Sequence, residues 1–198
     1  MNFDNQGLLE IQNGTLVIRS NINHTGSLQV FTDAIVEFTT GGAAVSHTLA
    51  ASGRIGGTGE IRLTSGVVVF DSVIAPGLPG ANESDLGILT IAPGFGRSSA
   101  SVIEIRVGET GHDRIYTPGS EQLDGELQVN LITNNGPGGS LFAIVSADQG
   151  VTPAPSVRCQ PTIRSYRHQG NGRCCMNRTV LSLPLVRTHC SATDSSSD

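Results

Sequence analysis

The chain of 198 residues contains no lysine, no tryptophan, two tyrosines and six phenylalanines. A core so short of aromatic anchors must be filled by Val, Ile and Leu, which suits narrow β-stacks better than a globule packed around bulky rings. Cysteine is missing from residues 1–155, and all four cysteines follow, so disulfides cannot hold the larger part together. That pattern fits an exported and an intracellular protein equally. No run of 18 apolar residues occurs, and the opening MNFDNQGLLE has neither the basic start nor the apolar stretch of a secretory signal. Apolar spacing at i, i+3, i+4 and i+7 is never sustained over ten positions, so no helix is expected.

Positive charge is also scarce where most of the chain lies. Residues 1–155 hold 6 Arg against 15 Asp and Glu, a net of −9, whereas residues 156–198 hold 6 Arg against 2 Asp, a net of +4. An acidic body disfavours nucleic acid and anionic lipid, because phosphates are neutralised by Lys and Arg. Neither nucleic acid nor membrane insertion is therefore expected.

Glycine is what the chain has in quantity, with 25 residues. Many of them open a short strand of one spelling, Gly-x-(Leu/Ile)-x-(Ile/Leu/Val). It appears at Gly7–Ile11, Gly14–Ile18, Gly26–Val30, Gly59–Leu63 and Gly87–Ile91. Alternation puts Leu9 with Ile11, Leu16 with Ile18, and Leu28 with Val30 on an apolar face, and Glu10, Val17 and Gln29 on a mixed one. Further strands are expected at 35–38, 45–50, 67–70, 86–91, 102–107, 127–132 and 141–145. Val67–Phe70 is apolar throughout, as expected of a strand covered on both sides. Ala75–Gly80, with two prolines, is expected to break any sheet.

The fold class is all-β. Two architectures accept the pattern: a right-handed parallel β-solenoid, and a β-sandwich or jelly roll. Recurrence of one spelling favours the solenoid, because stacked positions share an environment and sandwich strands need not. The sandwich is retained as the alternative for the second half.

Three segments in order carry a resemblance: GTGEIRL with VIAPG and LGILTI in 56–91, HDRIY at 112–116, and LDGELQV then GSLFAIV up to Val145. Together they resemble the β-helical passenger regions of bacterial autotransporter-type and filamentous-haemagglutinin-like surface proteins, over about residues 3 to 151. The resemblance implies a segment of a longer exported protein at the outer-membrane surface or outside the cell. It implies an elongated stalk or adhesive surface whose partners are host or environmental glycans or surface proteins. It transfers no catalytic, cofactor-binding or metal residue, and no cofactor is expected.

A domain of residues 1–151 is expected to be followed by an irregular Arg- and Cys-rich tail, 152–198, where the glycine-strand spelling stops. The tail is read as a divergent exposed segment or as sequence out of frame. Cys159, Cys174, Cys175, Cys190, His168 and His189 do not give the paired spacing of a zinc site. Asp71, Asp85, Asp113 and Asp124 are candidates for a carboxylate cluster, as a polysaccharide-active β-helix enzyme would need. Their placement beside turns and strand starts favours a structural role. A carbohydrate-binding sandwich would need an aromatic platform from Phe31, Phe38, Phe95 and Tyr116. The leading expectation is a non-enzymatic scaffold.

Overall fold

The computed structural model describes residues 2–39, 46–49, 52–64, 67–93, 96–132, 142–153, 158–161, 174–176 and 189–192. The strands come in groups of three. The first group is β1 (Asn2–Asn5), β2 (Leu8–Ile11) and β3 (Gly14–Ile18); the second is β4 (Asn21–His24), β5 (Ser27–Val30) and β6 (Ala34–Phe38). The third is β7 (Ser46–Leu49), β8 (Arg54–Gly57) and β9 (Glu60–Leu63). The fourth is β10 (Val67–Phe70), β11 (Val73–Pro76) and β12 (Ile88–Ala92), with a short 3-10 turn at Glu83–Asp85. The fifth is β13 (Gly96–Arg97), β14 (Val102–Val107) and β15 (Arg114–Thr117). Then follow β16 (Glu121–Leu123), β17 (Glu126–Leu131), β18 (Phe142–Ala143), β19 (Val145–Ala147), β20 (Val151–Pro153) and β21 (Arg158–Pro161), and finally β22 (Cys174–Met176) and β23 (His189–Ala192).

Pairing follows one rule. Each strand from β1 to β14 except β13 lies parallel to the third strand after it, giving sheets ordered β1-β4-β7-β10-β13, β2-β5-β8-β11-β14-β17-β21 and β3-β6-β9-β12-β15-β19. The step becomes four where β18 intervenes, and β16 pairs β20 in the same parallel sense. The chain is thus all-β with parallel sheets, an arrangement compatible with a β-helix. The second half keeps this rule through Pro161, so the hairpins of a sandwich do not appear in its main ladders. Antiparallel pairing joins β18 to β23 and β22 to β23.

The rule also explains the repeated spelling. Parallel register stacks like positions: Leu9, Leu28, Ile55, Ile74, Ile103 and Leu127 form one inward lane. Leu16, Val36, Ile61 and Ile91 form another. Ile55, Ile61, Ile74, Ile91 and Ile105 have no exposed surface. Burying one such side chain contributes about 1.5–3 kcal/mol, so each lane is a substantial source of cohesion.

The strand expectations hold for the glycine-led segments, with one correction. Pro76 does not end the sheet, because β11 includes Ala75 and Pro76 and pairs them with Gly56 and Gly57 of β8. The ladder from β11 to β14 covers only Val73 and Ile74, so the missing proline N–H interrupts nothing on that side. Gln29, expected outward, is outward and yet buried, because the chain around Gly77 folds over it and accepts its Nε2 proton at 3.1 Å. The anticipated double-sided cover of Val67–Val69 concerns side chains outside the described residues, as do the side chains of the four cysteines and both tail histidines. Parallel pairing itself crosses the expected boundary at Val151 into β20 and β21.

The inward lane of the first sheet departs from the rest. It runs Asn5, His24, Leu49, Phe70, Arg97, polar at both ends and apolar in the middle.

Candidate functional site

An open groove of about 550 Å³ lies on the outer face of the second sheet. Its floor is low because the outward lane there reads Gln29, Gly56, Ala75, Glu104, and the two central positions carry almost no side chain. Across it, Arg54 Nη1 meets Glu104 Oε2 at 2.7 Å, with both side chains partly exposed. Asn130, Leu131 and Ile132 close one end, and residues 76–81 form a wall.

One side chain binds three carbonyls of that wall. Arg106, on β14, donates from Nε and Nη2 to both oxygens of Asp113, at 2.6 and 3.1 Å. The same guanidinium donates to the carbonyls of Leu78 (2.9 Å), Gly80 (2.7 Å), Asp85 (2.8 Å) and Pro76 (3.3 Å). Asp113, wholly buried, also accepts from the backbone N–H of Gly87 and of Arg106. A planar fork of five donors can serve carbonyls on several sides at once, which an ammonium could not. The loop is fixed again at its far side, where the Glu83 carboxylate accepts from the N–H groups of Glu109 and Thr110 and from the Thr110 hydroxyl. The Glu109 contact, foremost, holds the Glu83 carboxyl below its ordinary value.

The backbone conforms to this arrangement at Gly77. Its φ of 84° is left-handed, and a Cβ there would lie 2.1 Å from Arg106 Nη2. Gly77 and Gly57 exchange backbone hydrogen bonds of 2.8 and 3.0 Å, fastening the corner to β8. Gly77→Ala is therefore expected to destabilise the fold by on the order of 1–3 kcal/mol, read as a lower urea midpoint at unchanged slope.

The four aspartates singled out from the sequence do not converge. Asp85 and Asp113 meet through Arg106, Asp85 with its backbone carbonyl and Asp113 with its carboxylate. Asp71 sits between β10 and β11 with one buried oxygen that takes no hydrogen bond from the described residues. Asp124 lies at the turn into β17 and accepts from Gly125 N–H at 2.7 Å. Of the four, Asp113 fulfils its expected structural role at a strand start. His112, its neighbour, points elsewhere, with Nε2 donating to the Ala143 carbonyl at 3.2 Å. Glu104 is the carboxylate that lines the groove, and its partner is Arg54 rather than a second carboxylate. Among the described residues no three His, Cys, Asp or Glu side chains cluster as metal ligands.

No protein-family model, no curated protein and no solved structure matches the chain. Of the aromatic candidates, Phe38 is in the core, Phe31 is partly buried, and the partly buried Tyr116 donates its hydroxyl to Asp148 at 2.8 Å. Phe95 lies outside the described residues. Sequence reasoning missed Arg106 altogether. Its partners lie 7 to 30 residues away in the chain, and no local motif announces them.

Proposed function

We propose that the chain is a right-handed parallel β-solenoid segment of an exported bacterial surface or secreted protein, working as an elongated, non-enzymatic stalk with an adhesive face. The observation that supports this most is the parallel pairing of every third strand from β1 to β17, interrupted only between β13 and β16 among the described residues. Each round adds about 4.8 Å along the stack. Length therefore grows with each round while the core cross-section stays the same, as a spacer requires. The groove with Arg54 and Glu104, balanced in charge and walled by a fastened loop, is the face offered to glycans or surface proteins. Single contacts there are weak, and neighbouring copies on one cell make them effective together.

The test uses the full-length protein in its native cell. Protease added to intact cells is expected to remove an epitope within residues 96–132. Retention of that epitope until lysis would place the segment inside the cell and overturn the proposal. A second reading, a polysaccharide-active enzyme, draws on Arg54, Glu104 and Arg106 sharing one groove. Hydrolysis by general acid and base needs two carboxylates facing the scissile bond, and Glu104 is one. Release of new chain ends from neutral or acidic polysaccharides, lost in Glu104→Gln, would favour that reading over the scaffold.

A further inference from the structure

The buried histidine of the first sheet joins three rounds of strands. His24 on β4 is 2 % exposed. Its Nε2 lies 3.1 Å from the carbonyl oxygen of Arg54, on β8. A carbonyl only accepts, so Nε2 carries the proton, and in the neutral ring Nδ1 must accept. Nδ1 lies 3.1 Å from Asn5 Nδ2, on β1, which supplies that proton.

The Asn5 amide cannot turn over to suit a different ring. Its Nδ2 also donates to the Ser27 carbonyl at 3.1 Å, and its Oδ1 accepts from Gly7 N–H at 3.2 Å. Reversal would set oxygen against oxygen at Ser27 and donor against donor at Gly7. We infer that Asn5, His24 and the Arg54 carbonyl form an acid-sensitive latch that holds the first three rounds together and loosens when the imidazole gains a second proton. The added hydrogen on Nδ1 faces a fixed N–H donor, so the second N–H of the cation is buried without an acceptor.

The charged groups on neighbouring strands are turned to other partners. Asp4 on β1 accepts from Gln6 and Asn23, and the Arg54 guanidinium pairs with Glu104. Ser27 offers a carbonyl already taken by Asn5, and the side chain of His47 on β7 is outside the described residues. Burial, the larger effect, lowers the affinity of His24 for the proton, against the Arg54 carbonyl, which raises it. The latch thus contributes fully above the ordinary value of 6.5 and is lost as pH falls below it toward the folded-state value.

Hydrogen exchange on the whole chain, corrected for intrinsic rates, tests this near neutral pH and at about pH 5. Amides of β1, β4 and β8 are expected to lose protection by roughly tenfold relative to β14 and β17 on acidification. Equal change in all five strands would overturn the latch. Asn5→Asp places an acceptor opposite Nδ1, so its acid-induced loss is expected to vanish or reverse; an unchanged loss also overturns it. Should that variant not fold, the His24 ring protons of the natural chain decide by NMR titration. A midpoint below 6.5 supports the latch, and one at or above 6.5 defeats it.

Discussion

Asp113→Ala is expected to lower the unfolding free energy by about 3–5 kcal/mol, the usual result of removing one partner of a buried ion pair. The carboxylate is fully buried, and Arg106 beside it is largely so, with its side chain 16 % exposed. Truncation leaves the guanidinium without its counter-charge and strips the backbone N–H groups of Gly87 and Arg106 of their acceptor. Total stabilities of natural domains are about 5–15 kcal/mol, so the loss is visible in any denaturant titration. The same variant should expose residues 77–85 to limited proteolysis, because Arg106 no longer has a fixed orientation from which to hold the Leu78, Gly80 and Asp85 carbonyls. Asp113→Asn, which keeps shape and some hydrogen bonding, should fall between. Equal stability of all three proteins would show that the loop stands without the pair.

This anchoring separates the groove from an ordinary sheet face. A flat outer face of parallel strands offers no concavity, whereas here four hydrogen bonds from one guanidinium hold a proline-rich segment above two positions with minimal side chains. A ligand therefore meets a wall already in place, and less ordering cost is charged against its binding.

The strands that could be read from the sequence are those whose inward lanes are purely apolar. Gly14–Ile18 and Glu60–Leu63 alternate because they stack on Val36 and Ile91 in the same lanes. In the first sheet β7 and β10 were legible, but β1 and β4 were not, for the opposite reason. Asn2–Asn5 and Asn21–His24 have no apolar alternation, and their strand state comes from parallel neighbours and from the bond between Asn5 and His24. Arg54–Gly57 and Val73–Pro76 were hidden by glycine and proline, which penalise a lone strand but serve here where Gly57 accommodates Val30 beneath it. The groove was less legible still. Asp113 stood out as a carboxylate at a strand start, yet its meaning depends on Arg106, and that pairing exists only once β14 and β15 are folded.

The two members of the other buried pair should respond unequally to removal. Arg97 lies in the inward lane after Phe70, and its Nε donates to Glu121 Oε1 at 3.1 Å, with side chains 3 % and 0 % exposed. Arg97 Nη1 and Glu121 Oε2 have no hydrogen-bond partner among the described residues, so the pair is incompletely satisfied. Burial pushes the Glu121 carboxyl up to about 8, against the attraction of Arg97, and it lowers Arg97 as well. Even so, a guanidinium stays protonated inside proteins, whereas a carboxyl can take up a proton. Above about pH 8, where the carboxyl is ionised, Glu121→Leu therefore strands a charge that cannot neutralise, and is expected to cost about 3–5 kcal/mol. Arg97→Met leaves an acid that can simply protonate, and should cost clearly less. The double variant removes both polar ends and extends the apolar lane of Leu49 and Phe70, so it should recover most of the loss. The pH dependence follows from the raised value: the folded chain holds the Glu121 proton over a range where the unfolded chain, at about the ordinary 4.5, has released it. Stability from this group is thus full below 4.5 and declines as pH rises toward about 8. Urea titrations across that range should show the decline in the natural chain and lack it in Glu121→Gln, which has no proton to lose. Single variants of equal cost, with no recovery in the double, would mean that packing rather than charge governs this end of the lane.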